Sequence, residues 1–525
     1  MRKRTLSLLV AAGLAVAACG TSGGGGSPTS SGPKHGGTLT VAVGIDPDTL
    51  DPAAQTTTTA SQIVDMMAEA LVGLDEKGNL KPLLATSWSN SPDGLTYTFT
   101  LRSGVKFQDG TDFNAQAVKF NIDRLLSKDT FKAQPGVLAV IQSTDVIDAT
   151  HVKFTLKNPF AAFIQAMTQS TTDMISPASV NAAPNTPAQV QQPVGTGPYK
   201  FSQRVNGDHI TMVRNDSYWG TKPNYDTQIY KIVPEATSRE ALVKAGQADV
   251  IMLPPANDIP SLQSDSNLKV VMSPSDRTVQ IIIDTVDPVN PALQKPEVRQ
   301  ALNYAVDKNA IIKNVMFGAA VPLSGPMSKS LSGYCDTGSY NYDVNKAKQL
   351  LQQNGAAGMS VRIMSPTGRY VQDFQVAQAV AGYLRDAGLN VQGPATTDWP
   401  TYLSTYVNVP PSQSKIDLSL LGWAPPYLDA QQQFEQFYSA RVPPNGLETS
   451  YYKNPAIDAL IEKANSGTDP AQRQKDYCDA AKTVWKEAPW IFLYNQKFPF
   501  VTTARVTNVV GLPNEKFVTT WASPA

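Results

Sequence analysis

Apolar positions recur along this chain with two periods. Leu39, Val41 and Val43 alternate and predict a strand, as do Tyr97, Phe99 and Leu101, and then Val152, Phe154 and Leu156. Ile63, Met66, Met67, Ala70 and Leu71 fall at helical spacing and predict a helix. Val118, Ile122, Leu125 and Leu126 predict another, opening near Asn114. A third starts at Pro296, whose missing N–H falls among the helix's unpaired donors, with Val298, Ala301, Leu302 and Ala305 on its apolar face. A fourth carries Val376, Ala379, Val380, Tyr383 and Leu384 and follows Gly368-Arg369-Tyr370. Strands mixed with helices throughout imply the α/β or α+β class. Residues 176–198, rich in Pro, Ala, Gln and Asn, and a break at 408–413 with Pro410-Pro411 read as connections.

The N-terminus has a different pattern. Arg2, Lys3 and Arg4 precede an apolar run from Leu6 to Ala18, too short to span a bilayer comfortably and suited to a signal peptide. It ends Val16-Ala17-Ala18-Cys19, which resembles the lipobox of bacterial lipoproteins and implies cleavage before Cys19 and diacylation of that residue. Two acyl chains suffice for stable anchoring. Residues 19–35 contain Gly23-Gly24-Gly25-Gly26 and read as a flexible tether. No strand precedes and no helix follows this stretch, so it is not a phosphate loop.

With 525 residues, the chain holds material for about three domains. Lys+Arg and Asp+Glu both number 44, so bulk charge makes no case for nucleic acid. Three histidines, His35, His151 and His209, leave little for a metal site, and no metal ligand set or cofactor motif is expected. Beyond Cys19 there are Cys335 and Cys478, which could bridge in an oxidising compartment if their Cα atoms lie close enough. His-Glu-x-x-His and Gly-x-x-x-x-Gly-Lys are missing from the sequence, and the one Gly-x-Ser-x-Gly, Gly20 to Gly24, falls in the Gly-rich tether with no strand before it to form a nucleophile elbow. Ser412-Gln413-Ser414-Lys415 lies in a Pro-rich loop without the Lys-Thr-Gly partner it would need for acyl transfer. No catalytic residue is assigned, and binding is favoured over catalysis.

Several stretches then resemble the extracytoplasmic solute-binding proteins of ABC transporters, in the family-5 branch with dipeptide- and oligopeptide-binding members. They are Gly37-Thr38-Leu39-Thr40-Val41-Ala42 leading to Thr49-Leu50-Asp51-Pro52, Ala70-Leu71-Val72-Gly73-Leu74, and Pro82-Leu83-Leu84-Ala85-Thr86-Ser87-Trp88. Asp93 to Phe99, Leu101 to Phe107, and Asp109-Gly110 with Phe113-Asn114-Ala115 follow. So do Gly195-Thr196-Gly197-Pro198-Tyr199, Asn215-Asp216-Ser217-Tyr218-Trp219, Arg299 to Asp307, and Tyr452 to Asp458. The matches run in family order from about Gly36 to about Phe517.

The resemblance implies a two-lobed clamshell of the type II periplasmic-binding-protein kind. Lobe I would use residues 36–71, 196–276 and 499–525, an extra subdomain 72–195, and lobe II 277–498. It implies a lipid-anchored receptor on the outer face of the cell membrane, monomeric, that captures a peptide or peptide-like solute and passes it to permease subunits served by separate ATPase subunits. An oligosaccharide, a modified peptide, a peptide-like antibiotic or a metal chelate is the alternative cargo, and a secreted hydrolase the alternative of another kind.

The family's second-lobe motif often reads Trp-x-x-Asp-Tyr-x-Asp-Pro, its first acid pairing with the ligand's ammonium. Here Trp423-Ala424-Pro425-Pro426-Tyr427-Leu428-Asp429-Ala430 keeps Trp423, Tyr427 and Asp429 but places Pro426 where that acid stands. Proline can neither carry charge nor donate a hydrogen bond. Either Asp429 takes the role, or the ligand's end is not a free amine held in the usual way; as a bland alternative, Asp429 caps a turn or helix. Arg369 resembles a family Arg for the ligand carboxylate, a group that suits bidentate pairing. Tyr370 lies beside it, and Trp399 and Trp423 could line the pocket or simply pack in the core.

Overall fold

The structure is a computed structural model that describes residues 36–127, 135–181 and 190–525. Cys19, His35, the signal-like run and the tether lie outside these residues. Three sheets organise the rest. A seven-stranded sheet runs in the order Leu268–Ser273, Phe498–Thr503, Val250–Met252, Thr38–Val43, Thr227–Ile232, His209–Arg214, Tyr199–Val205. Thr38–Val43 is parallel to both its neighbours, and the other pairings are antiparallel. Successive side chains of a strand point to opposite faces. Leu39, Val41 and Val43 therefore join one core with Tyr230 and Phe500, while Ala42 joins another with Ile251 and Val501.

The second sheet has six strands, in the order Ala320–Pro322, Trp490–Gln496, Thr278–Ile283, Leu418–Trp423, Ser360–Pro366, Asn390–Thr397. Thr278–Ile283 and Trp490–Gln496 are buried at every position, as expected of strands covered on both faces. Ile281 and Ile283 pack towards the helices Pro296–Ala305 and Asp373–Asp386, and Ile282 towards Pro470–Glu487. The third sheet, Ala85–Asn90, Thr96–Leu101, His151–Leu156, Ile141–Val146, is antiparallel. Its inward positions Tyr97, Phe99, Phe154 and Leu156 meet the helix Ala115–Leu126, whose Asn114 accepts a cap bond from Ala117 N–H at 3.1 Å.

These are the layers of a two-lobed, mixed α/β clamshell. The chain passes from the first sheet to the second at residues 274–277 and returns at Lys497. The two crossings lie side by side: Gln496 N–H donates to Arg277 O at 2.9 Å, and the Asn495 amide donates to Ser275 O at 2.9 Å.

The helix predicted through Leu71 stops early, spanning only Thr58–Val64. The reason is a competitor for its carbonyls. Gly197 N–H donates to Met67 O at 3.0 Å and Tyr199 N–H to Met66 O at 2.9 Å, while the Gln108 amide reaches Met67 O at 3.0 Å. The Gly195–Tyr199 strip can lie this close only because a Cβ on Gly195 would sit 2.3 Å from Met67 O. Glu69 ties the same region together, accepting from Thr196 at 2.8 Å, Tyr218 at 2.6 Å and Trp219 at 2.8 Å. Cys335 and Cys478 are joined in a disulfide, with Cα atoms 5.1 Å apart.

Candidate functional site

Between the sheets lies a cavity of about 670 Å³, inside the range of small-molecule sites. Every part of the fold contributes a wall. One side is formed by Gln55 to Thr58 at the start of the helix Thr58–Val64, by Thr168 to Thr171, and by the C-terminal segment Asn514 to Lys516. The second lobe supplies Arg369, Tyr370, Trp399 and the segment Leu421 to Pro426. Asp276 and Arg277 enter from the first crossing.

Four of the six expected ligand contacts meet here. Arg369 is presented by a tight loop in which Asp373 gathers three backbone N–H groups, from Gly368 at 3.2 Å, Arg369 at 2.8 Å and Tyr370 at 3.1 Å. The Arg369 side chain is exposed, its guanidinium carbon 4.9 Å from the Trp399 ring and 5.5 Å from that of Tyr370. No acid pairs with it among the described residues. Tyr370 donates its hydroxyl hydrogen to Gly422 O at 2.9 Å, which fixes the ring against the strand Leu418–Trp423. Trp423 lines the cavity with its indole N–H buried and without a partner.

Two expected residues stand elsewhere. Asp429 is fully buried and does not line the cavity. Its carboxylate forms a paired contact with Arg473, one arm at 2.9 Å, accepts from Ser332 at 2.6 Å, and caps the helix Ala430–Phe434 by accepting from Gln431 N–H at 2.9 Å. All its acceptor capacity faces inward, so this placement corrects the expectation that Asp429 supplies the missing acid. Tyr427 is likewise buried, its hydroxyl bonded to Gln431, with its ring in the subdomain core. Pro426, in contrast, is exposed on the cavity wall, where a carboxylate would have faced a ligand.

The sequence reading missed a charged group at the crossing. Arg277 donates to Glu515 through Nε at 2.7 Å and Nη2 at 2.5 Å, and Ser275 reaches the same carboxylate at 3.3 Å. Burial alone would lower the Arg277 pKa, but Glu515 turns it upward. Asp276 beside them is pushed well above the carboxylate range, first by burial and then by Glu515. Glu435 also faces the cavity, held by Arg441 at 3.1 Å and the Gln431 amide at 2.8 Å. No local pattern marks Arg277 and Glu515, which are 238 residues apart.

Residues 79–444 match the family described as bacterial extracellular solute-binding proteins, family 5. The chain belongs to that family. As a family-5 solute-binding protein it is the binding component of an ABC importer and not an enzyme. It is 30% identical over 91% of its length to the glutathione-binding protein GsiB of Pectobacterium atrosepticum, covering 92% of that protein. Among solved structures it is similar to the periplasmic binding protein DppA of Helicobacter pylori in complex with the peptide STSA. There the TM-score is 0.74 and the identity 25%, over 94% of this chain and 98% of the other. The oligopeptide-binding protein AppA of Bacillus subtilis, in complex with a nonapeptide, also gives a TM-score of 0.74 at 25% identity, over 94% of this chain and 100% of the other.

Proposed function

We propose that this protein captures a short peptide or peptide-like solute, glutathione included, between its lobes and delivers it unaltered to membrane permease subunits. The carrying observation is a cavity walled by both lobes in which Arg369, stacked over Trp399, has no acidic partner among the described residues. A guanidinium held in this way suits a ligand carboxylate, which it grips through two parallel hydrogen bonds. Peptides and glutathione carry such a group, and the relatives named above bind them. Ligand touching both walls favours the closed arrangement by population shift, and the permease would read that shape. Pro426 favours a second reading, in which the cargo is another solute such as a modified peptide.

Thermal melting of the purified protein against a peptide pool, glutathione, an oligosaccharide mixture and a nickel–histidine chelate separates these readings. Peptides or glutathione are expected to raise the melting temperature without being consumed; ligand at a hundred times Kd adds about 2.7 kcal/mol. A rise with the oligosaccharide or the chelate alone would sink the peptide reading.

We further propose that the protein is monomeric and anchored by lipid on Cys19 to the outer face of the cell membrane, with residues 19–35 as tether. Cys19→Ser in the producing cell is expected to abolish fatty-acid incorporation, and labelling that persists would refute the anchor.

A further inference from the structure

Three carboxylates face the cavity: Asp276, Glu435 and Glu515. Glu435 is held by Arg441 and Gln431, and Glu515 by Arg277 and Ser275. Asp276 alone is uncommitted. It is 1% exposed, its Oδ1 is buried with no hydrogen-bond partner, and no described side chain donates to it. Its backbone N–H donates to Pro513 O at 2.7 Å, which holds the residue against the C-terminal segment. Two acids thus share one guanidinium at this point, and a buried carboxylate with no partner is costly. The charge count is completed either by a proton on Asp276 or by a cation that enters with the ligand.

We propose that Asp276 receives the ammonium group of the bound solute, in place of the acid that Pro426 removes from the opposite motif. This rests on the reading that the cavity takes a peptide-like solute, and narrows it to one with a free primary amine. The position of the cations supports the assignment. The Arg277 guanidinium carbon lies 5.9 Å from the Tyr370 ring and that of Arg369 lies 5.5 Å from the same ring. Asp276 and Arg369 border the same cavity, so a solute that carries both an ammonium and a carboxylate has, among the described residues, an unpaired acid and an unpaired guanidinium to meet. The charged groups that face Asp276 are Glu515 and Arg277. Glu515 and burial both favour the neutral form of Asp276, whereas an ammonium beside it favours the charged form.

Titration calorimetry at pH 7 tests this on the purified protein stripped of solute. The probes are glutathione and trialanine, each free and N-acetylated, with putrescine and glucosamine as amines that are not peptides. The free-amine peptides are expected to bind about ten- to hundredfold more tightly than their acetylated forms. Asp276→Asn is expected to remove that difference, weakening the free-amine peptides far more than their acetylated forms. Equal binding of free and acetylated probes by the wild-type protein would overturn the assignment, even if the variant does not fold. Equal weakening of both by Asp276→Asn would do the same. Should only putrescine or glucosamine bind, the peptide reading falls and Asp276 stands; should only amine-free solutes bind, the assignment falls.

Discussion

Pairing decides which charges at this site are left for a ligand. Asp429 and Arg473 are buried together and satisfy each other, whereas Arg369 is exposed and rests on aromatic faces. Removing one partner of a buried pair leaves the other charge unpaired, at about 3–5 kcal/mol. Asp429→Ala is therefore expected to lower the unfolding free energy from denaturant melts by an amount in that range and to weaken free and N-acetylated peptides alike. Arg369→Ala is expected to leave the unfolding free energy within about 0.5 kcal/mol of wild type and to reduce affinity for a carboxylate ligand about tenfold or more. The opposite assignment of these two outcomes would show that the binding charge had been misplaced. Sequence alone listed both residues on equal terms, because motif position carries no information about which way a carboxylate faces.

Elements were more legible than residues. The alternation in Tyr97, Phe99 and Leu101 and in Val152, Phe154 and Leu156 matches paired strands of one sheet, and Asn114 caps its helix. The exception was the segment after Val64, where helical spacing was present but the helix was not. Its carbonyls are taken by the Gly195–Tyr199 strip, a partner more than a hundred residues on that periodicity cannot reveal. This also explains why Gly197 must lack a side chain: a Cβ there would lie 2.6 Å from the Met67 carbonyl carbon and 2.8 Å from Met66 O. Gly197→Ala is expected to destabilise the protein by about 1–3 kcal/mol through overpacking. A denaturation curve within error of wild type would show that the strip yields without cost.

At the scale of the molecule, the family motifs made the clamshell visible before any coordinates, since they are spread from the first strand to the last. The charged group at the cavity floor was not visible, because Asp276 and Glu515 come together only when the chain has crossed between sheets twice. Those crossings have a mechanical side. Leu268–Ser273 pairs with Phe498–Thr503 on one side and Thr278–Ile283 with Trp490–Gln496 on the other. Two such runs laced together form a ribbon, which folds easily across its flat face and stiffens against twist. A lone spin-label pair placed across the mouth is expected to show whether the halves approach about this ribbon alone, one change of distance then accompanying the entire opening and shutting stroke.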